Sequence, residues 1–322
     1  MTSNVNKTKK WKELVMICGL FLVSVAIAGM AFKIQEVESS NSKAATQATF
    51  SSPEKAAAAL NQAAKTDDPN ALVPVLGGQA KALITSGDSE SDEAAMESFV
   101  SKYQQMNRWV DMSDGTRVLY IGADNFPFPV PLAKNPAGQW YFDGAAGAEE
   151  IRAREIGRNE LLAIDACSAL ANAEEFYFAS SGDTPEYAQR IVSTSGKQDG
   201  LYWPMDEAGV ASPLGHLSKF PKSSLASYSS DQPFVIDGYS LRILTAQGDD
   251  ASGGAMNYIA NGKMTGGFAI LATPVRYAET GIMTFVIRRD GIVYERDFGP
   301  DTTKLAASIQ EYNPDENWSP VE

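Results

Sequence analysis

The sequence predicts an α+β fold made of two successive blocks, each with helices ahead of an antiparallel sheet. Two observations carry this. Helical patterns between residues 52 and 105 are followed by short strand runs that end near Asp143. One long helical pattern then precedes four consecutive strand patterns between Tyr239 and Asp297. The division reads as a leader at 1–33, a linker at 34–49, an N-terminal α+β domain at 50–145 and a C-terminal α+β domain at 146–318.

Residues 14–32, LVMICGLFLVSVAIAGMAF, carry no charge and follow Lys7, Lys9, Lys10 and Lys12. As a helix rising about 1.5 Å per residue, such a run roughly matches a ~30 Å hydrocarbon core. The lysines favour the cytoplasmic side, so the rest of the chain is expected to be exported. Small residues at Ala26, Ala28, Gly29 and Ala31 offer cleavage sites for a signal peptide, whereas the length of the run and Lys33 favour an uncleaved anchor. Both readings place the body in the bacterial envelope. It is either anchored in the inner membrane and facing the periplasm, or released there. The polar stretch after Ile34 then acts as a tether.

Ser52-Pro53-Glu54 starts the first helix, with Ser as N-cap and Pro at the first helical position; it runs to about Lys65. A short helix follows from Pro69 to Leu76 and stops at Gly77-Gly78. A third is expected from Asp92 to Gln105, with Met96, Phe99 and Tyr103 on one face. Strands are predicted at Arg117–Ile121, Phe128–Ala133 and Gln139–Asp143, the last two joined by Asn135-Pro136-Ala137-Gly138. Pro127, Pro129 and Pro131 alternate, as an edge strand allows. The long helix begins near Gly147 with alternating acids and bases. It becomes apolar along Leu162, Ala166, Leu170, Ala173 and Tyr177, and ends before Ser180. Residues 183–232 read mostly as loop. Strands resume at Tyr239–Thr245, Phe268–Thr273, Met283–Arg288 and Val293–Asp297, and a last helix starts at Asp301 as N-cap.

Charge and composition narrow the function classes. The chain carries −13, and the first 33 residues hold five lysines against Glu13, or +4, which leaves −17 on the remainder. That surface repels phosphate backbones, so nucleic acid is not an expected partner. The two cysteines, Cys18 and Cys167, fall in the leader and in the long helix, so the exported body has no internal disulfide to form. A single histidine, His216, rules out multi-histidine metal sites.

Signatures of catalysis are missing: no G-x-S-x-G, H-E-x-x-H, Walker A or G-x-G-x-x-G occurs. Asn261-Gly262-Lys263-Met264 lacks the Ser/Thr of a phosphate loop and reads as a turn entering a strand. Asp88-Ser89-Glu90-Ser91-Asp92 alternates acids like a calcium loop, but Glu93 and Phe99 stand where Gly and Glu are required, so helix capping by Asp92 is preferred. No cofactor or metal is therefore expected.

Three places remain as a candidate functional surface. Arg154, Glu155, Arg158, Asn159 and Glu160 gather two guanidiniums and two carboxylates within two helical turns. They could grip an anion with Glu160 as acid or base, or simply fasten the helix to its surroundings. Asp199, Tyr202 and Trp203 in DGLYWP could form an aromatic platform for a sugar or peptide, or plug the core beneath the loop. Gln247 opens Gln247-Gly248-Asp249-Asp250, read as part of a flexible loop facing solvent.

A series of motifs resembles the bacterial exported family catalogued as domain of unknown function 2950. They include SPEKAAAAL at 52–60, FPFPVPL at 126–132, WYFDGAAGAEEI at 140–151 and REIGRNE at 154–160. DGLYWP at 199–204, GYSLRILTAQG at 238–248, NGKMTGGFAILATP at 261–274, TGIMTFVI at 280–287, GIVYERDFG at 291–299 and NPDENW at 313–318 continue the series. The resemblance implies an exported protein with no assigned activity. FPVPLAKNPAGQWYFD also looks like the closing hairpin of NTF2-like folds. The second block, one long helix then four strands, is similar to a pilin globular domain, although the leader lacks the pilin processing pattern. These readings lead to a non-catalytic envelope module whose partner is an envelope protein or a glycan. A carboxylate-dependent hydrolase of a wall polymer and a pilus or secretion accessory subunit are the alternatives.

Overall fold

A computed structural model describes residues 47–66, 68–78, 88–205, 211–216, 228–230 and 232–321. The apolar run at 14–32 and nearly all of the expected tether lie outside the described residues. Among the described residues, no helix is long and apolar enough to cross a membrane. The fold is α+β, with helices and antiparallel sheets. The chain divides into two compact units between Arg154 and Glu155.

The first unit opens with α1, Pro53–Ala64, where the Ser52 side chain accepts a hydrogen bond from the Lys55 backbone N–H. A 3₁₀ turn at Pro69–Leu72 is capped by Asp68 and leads into α2, Val73–Leu76. Helix α3 runs Ser89–Gln105, three residues longer at its start than predicted. The cap is Asp88, which accepts from the N–H groups of Glu90 and Ser91, so Asp92 does not cap; it is buried in the first turn instead.

Five strands follow: β1 Asn107–Asp111, β2 Arg117–Ile121, β3 Phe126–Pro127, β4 Leu132–Lys134 and β5 Trp140–Phe142. The sheet order is β1-β2-β4-β5, and β3 pairs with the same side of β2 as β4. Of the predicted strand at Phe128–Ala133 only Leu132 and Ala133 lie in a strand, β4, because Pro129 and Pro131 cannot donate to a ladder; β3 falls just before the predicted range. Beyond β5, Phe50 and Trp140 exchange backbone hydrogen bonds of 2.7 and 2.8 Å, which closes that edge. Leu60, Leu119, Ile121, Leu132 and Phe142 are almost wholly buried between the helices and this sheet.

Helix α4, Gly144–Ser180, starts where Asp143 accepts from the Ala146 N–H, and the division between the units falls within it. In the second unit its residues Ala163, Ala166, Cys167, Leu170 and Ala173 share one core with Leu241, Leu271, Phe285 and Ile287 of the main sheet. The sheet is built from β6 Phe234–Ile236 and β7 Tyr239–Leu244, then, after four short strands, β12 Ala269–Pro274, β13 Met283–Arg288, β14 Val293–Asp297 and β15 Ser319–Pro320. The short strands form two hairpin pairs, β8 Ala246–Gln247 with β9 Met256–Asn257, and β10 Ile259–Ala260 with β11 Lys263–Met264. Asn261 and Gly262 both have positive φ, 54° and 81°, and make the two-residue turn of the second pair. Helix α5, Thr302–Ser308, lies between β14 and β15, and Asp301 holds the N-cap position without a side-chain bond.

The four predicted strands are the consecutive β7-β12-β13-β14 core of the sheet. The sheet has six strands rather than four, because β6 and β15 extend its two edges. Both additions are three residues or fewer, too short to show a period in the sequence.

Candidate functional site

At the start of α4, Arg154 donates from Nε to Glu150 Oε1 at 2.8 Å and from a terminal nitrogen to the Pro127 carbonyl at 3.0 Å. Its guanidinium also lies 5.4 Å from the Phe126 ring centroid. In the first unit, therefore, Arg154 fastens the proline-rich FPFPVPL stretch, whose missing N–H groups leave carbonyls in need of outside donors.

Four residues beyond the division, Arg158 is exposed, and its charge acts on Asp237, whose carboxyl burial raises. Asn159 donates from Nδ2 to the Thr280 carbonyl at 3.0 Å. Glu160 Oε1 accepts from the N–H groups of Ile282 and Met283 at 2.9 and 3.0 Å. The Tyr239 hydroxyl donates to the Met283 carbonyl at 2.9 Å. These bonds hold the chain that enters β13. Gly281 is required there, since a Cβ would collide with the Tyr239 hydroxyl and ring. Burial raises the Glu160 carboxyl above its ordinary value, the two backbone donors oppose that, and Glu295 and Asp297 add to the rise. Asn159 and Glu160 thus share one task, while Arg154 performs another in its own unit.

Asp199 accepts through Oδ1 from the Thr194 N–H at 2.8 Å and through Oδ2 from the Thr194 hydroxyl at 2.9 Å. Arg190 reaches the same hydroxyl at 2.7 Å and stands 3.9 Å from the carboxylate. Partial burial pulls the carboxyl up, but the Thr194 hydrogen bonds and the Arg190 charge hold it below the usual value. The loop so closed lies against the next stretch. Tyr202 donates its N–H to the Ile191 carbonyl and accepts from the Ser193 N–H, both at 2.8 Å. Gly200 permits this approach, because a Cβ would meet the Ser193 nitrogen. Leu201 is fully buried, Tyr202 and Trp203 are half-buried, Pro204 is exposed and Met205 is 69% exposed.

Gln247 is 6% exposed. Asp249, Asp250, Ser252 and Gly253 in the loop after it face solvent, while Gln247 itself is held inside by its partners. Nε2 donates to the carbonyls of Ser252 and Gly254 at 3.2 and 2.6 Å, and Oε1 accepts from the Tyr258 hydroxyl at 2.8 Å. Arg288 donates to the Ser252 carbonyl at 3.0 Å, pairs with Asp290 at 2.6 Å and lies 5.3 Å from the Tyr312 ring centroid. Asn313 exchanges two 2.8 Å bonds with Asp250. The motifs ending at 248 and beginning at 313 therefore meet around one buried amide. Sequence reasoning named Gln247 and missed Tyr258, Arg288 and Tyr312, which lie at unrelated spacings along the chain.

It also missed Glu174, which is fully buried on α4. Its Oε2 accepts from the Ala188 N–H at 2.8 Å, and Oε1 has no hydrogen-bond partner among the described residues. Burial raises this carboxyl well above the ordinary value, the Ala188 N–H opposes the rise, and Glu175 adds to it. The spacing Ala163, Cys167, Leu170, Glu174 is a helical face, and continuing it past the apolar residues was the available signal. Cys167 on that face has its thiol pushed up to about 12 by burial, so it is an inert core residue.

Among the described residues, no group of three or more His, Cys, Asp or Glu is arranged to hold a metal ion. The polar side chains instead tie distant backbone segments together, and the molecule is defined as a two-unit α+β protein with loops locked by buried hydrogen bonds. The chain belongs to the family described as a protein of unknown function (DUF2950), which it matches over residues 47–321. Comparison with the curated proteins and with the solved structures returned no match.

Proposed function

We propose that this protein is an exported, non-catalytic binding module of the bacterial cell envelope, facing the periplasm. What carries the reading is the state of the candidate acids and amide. Glu160, Asp199 and Gln247 each direct their side-chain oxygens or nitrogens at the protein's own groups. A catalytic carboxylate must instead reach a substrate proton or carbon within hydrogen-bond distance. The loop around Tyr202, Trp203, Pro204 and Met205 offers half-buried rings and an exposed thioether, the amphipathic character of a contact surface for an envelope protein or a glycan. The charge-free run at 14–32 behind four lysines supports export. The packing of α4 on an antiparallel sheet leaves a pilus or secretion accessory subunit as the second reading.

The test joins location to binding. A carboxyl-terminal reporter that matures only outside the cytosol is expected to be active on the full chain. Cross-linking in intact cells is expected to capture a partner that is lost with Trp203→Ala and Met205→Ser together. A reporter active only in the cytosol, or capture unchanged by both substitutions, overturns the proposal.

A further inference from the structure

We propose that β1 is a self-docking edge through which two copies of this chain join antiparallel, with Trp109 on the two-fold axis. The argument starts from the ladder. Met112 donates to Thr116 at 2.9 Å at one end of the β1–β2 pair, and Gly122 donates to Met106 at 3.0 Å at the other. The register between them is uninterrupted, Asn107 opposite Ile121 through Asp111 opposite Arg117. Hydrogen-bonded positions alternate along an antiparallel strand. The inward ladder therefore uses residues 106, 108, 110 and 112, and the N–H and C=O groups of Asn107, Trp109 and Asp111 point away from β2.

Among the described residues, β1 pairs with β2 alone, whereas the opposite edge of the same sheet is closed by Phe50. Exposed edges are ordinarily guarded by lysine, proline or a bulge, and β1 has none of these. Its charges do not stand over the edge either. Arg108 donates to Asn125 Oδ1 at 3.1 and 2.9 Å and lies 4.8 Å from the Tyr120 ring centroid, while Asp111 is paired with Arg117 at 2.5 Å. Both are drawn toward the strand's own neighbours.

A second copy fits this edge better than an arbitrary peptide because the edge is complementary to itself. An isologous contact places the same patch on both subunits. With the axis at Trp109, Asn107 of one copy faces Asp111 of the other, and Trp109 faces Trp109. All three outward-pointing positions then become hydrogen-bonded pairs, and no like charges oppose each other. Shifting the register by one residue would set outward groups against inward ones. Shifting it by two would leave one of the three outward positions without an opposite number in the strand, so the Trp109 register is the one that pairs all three.

The experiment uses the full chain carrying Cys18→Ala, which leaves buried Cys167 as the remaining native thiol. Asn107→Cys and Asp111→Cys are expressed separately and together in one cell, with different tags, and then oxidised. Directly opposed residues have Cβ atoms about 4.5–5.5 Å apart, whereas the two copies of residue 107 stand roughly 14 Å apart, four strand residues away. Disulfide-linked heterodimer is expected to exceed the dimer from either variant alone by about fivefold or more. A second measurement, sedimentation of the full chain in detergent, needs no new thiol. Asn107→Lys alone, facing Asp111, is expected to raise the dimer fraction, and Asn107→Lys with Asp111→Lys to lower it. Equal cross-linking from the single and mixed variants, adducts only with other proteins, or no response of the dimer fraction to the lysines would each overturn the proposal.

Discussion

Glu174 makes a residue-scale demand on the whole second unit. It is 0% exposed, and its single hydrogen bond comes from a neutral backbone donor. Glu175, the acid whose charge acts on it, pairs with Arg289 at 3.0 Å and accepts from the Tyr187 hydroxyl at 3.4 Å, and among the described residues no ion pair is made to Glu174 itself. Moving an ionised carboxylate into such a place is opposed far more strongly than moving the neutral acid. Its folded pKa is therefore raised, and the sign follows from linkage. Below the ordinary Glu value of about 4.3 both folded and unfolded chains hold the proton, and the neutral acid's contribution is fully present. As pH rises beyond it, the unfolded chain ionises first, and stability is lost at up to about 1.4 kcal/mol per pH unit until the folded group also ionises. Glu174→Gln keeps an acceptor for Ala188 and removes the proton. Thermal unfolding from pH 5 to 8 should show the wild-type midpoint falling more steeply than that of the variant. Glu160 and Asp237 are raised too and act in the same direction, so the difference between the two proteins is the quantity to read. Parallel slopes would mean that Glu174 is charged in the fold.

At the scale of elements, side chains supply what strands and helices leave open. The segment from Gly248 to Gly254 has no ladder of its own beyond the β8–β9 pair, and Gln247 satisfies two of its carbonyls. Replacing Gln247 by Ala removes that donor from the Gly254 carbonyl and that acceptor from the buried Tyr258 hydroxyl, while the exposed Ser252 carbonyl keeps Arg288; a stranded buried group costs about 1–3 kcal/mol. Amide hydrogen exchange over residues 248–255 is expected to accelerate in Gln247→Ala while exchange in β12 and β13 changes much less. Uniform acceleration across the sheet would place the amide in the global core instead. The same division separates what was legible in the sequence from what was not. β7, β12, β13 and β14 announce themselves because their apolar residues are contiguous or alternate over five or six positions. β1, Asn-Arg-Trp-Val-Asp, gives no such signal, since an edge strand with three exposed polar residues has little apolar face to display. Helix α3 was placed three residues late because Asp88 and Asp92 are equally good cap residues by type, and only geometry selects the first. Arg154, Asn159, Glu160 and Asp199 were recognised as polar clusters, but their targets are backbone atoms, which carry no residue identity to search for.

At the scale of the whole molecule, the described residues form two separate cores, one around Leu132 and Phe142 and the other around Leu170, Leu271 and Phe285. A core residue transmits its loss mainly to the groups it touches, and substitutions without shared partners act independently to within a few tenths of a kcal/mol. Leu132 is wholly buried at the start of β4, opposite Phe142 and Arg117 in its sheet. Truncation to Ala removes its transfer energy and leaves a cavity, together about 2–5 kcal/mol. If each unit folds on its own core, calorimetry of the full chain should resolve two transitions. Leu132→Ala would then lower one and Glu174→Gln would alter the pH response of the other. The long helix α4 argues for the opposite outcome, because the division falls between Arg154 and Glu155 inside a continuous run of backbone hydrogen bonds. Melting one unit would expose a new helix end with unsatisfied groups, a boundary penalty that couples the two cores. The penalty is small beside a core, since water can solvate a frayed turn, so two transitions drawn closer together are expected rather than one. A single transition moved equally by both substitutions would show that the helix makes the chain one cooperative body.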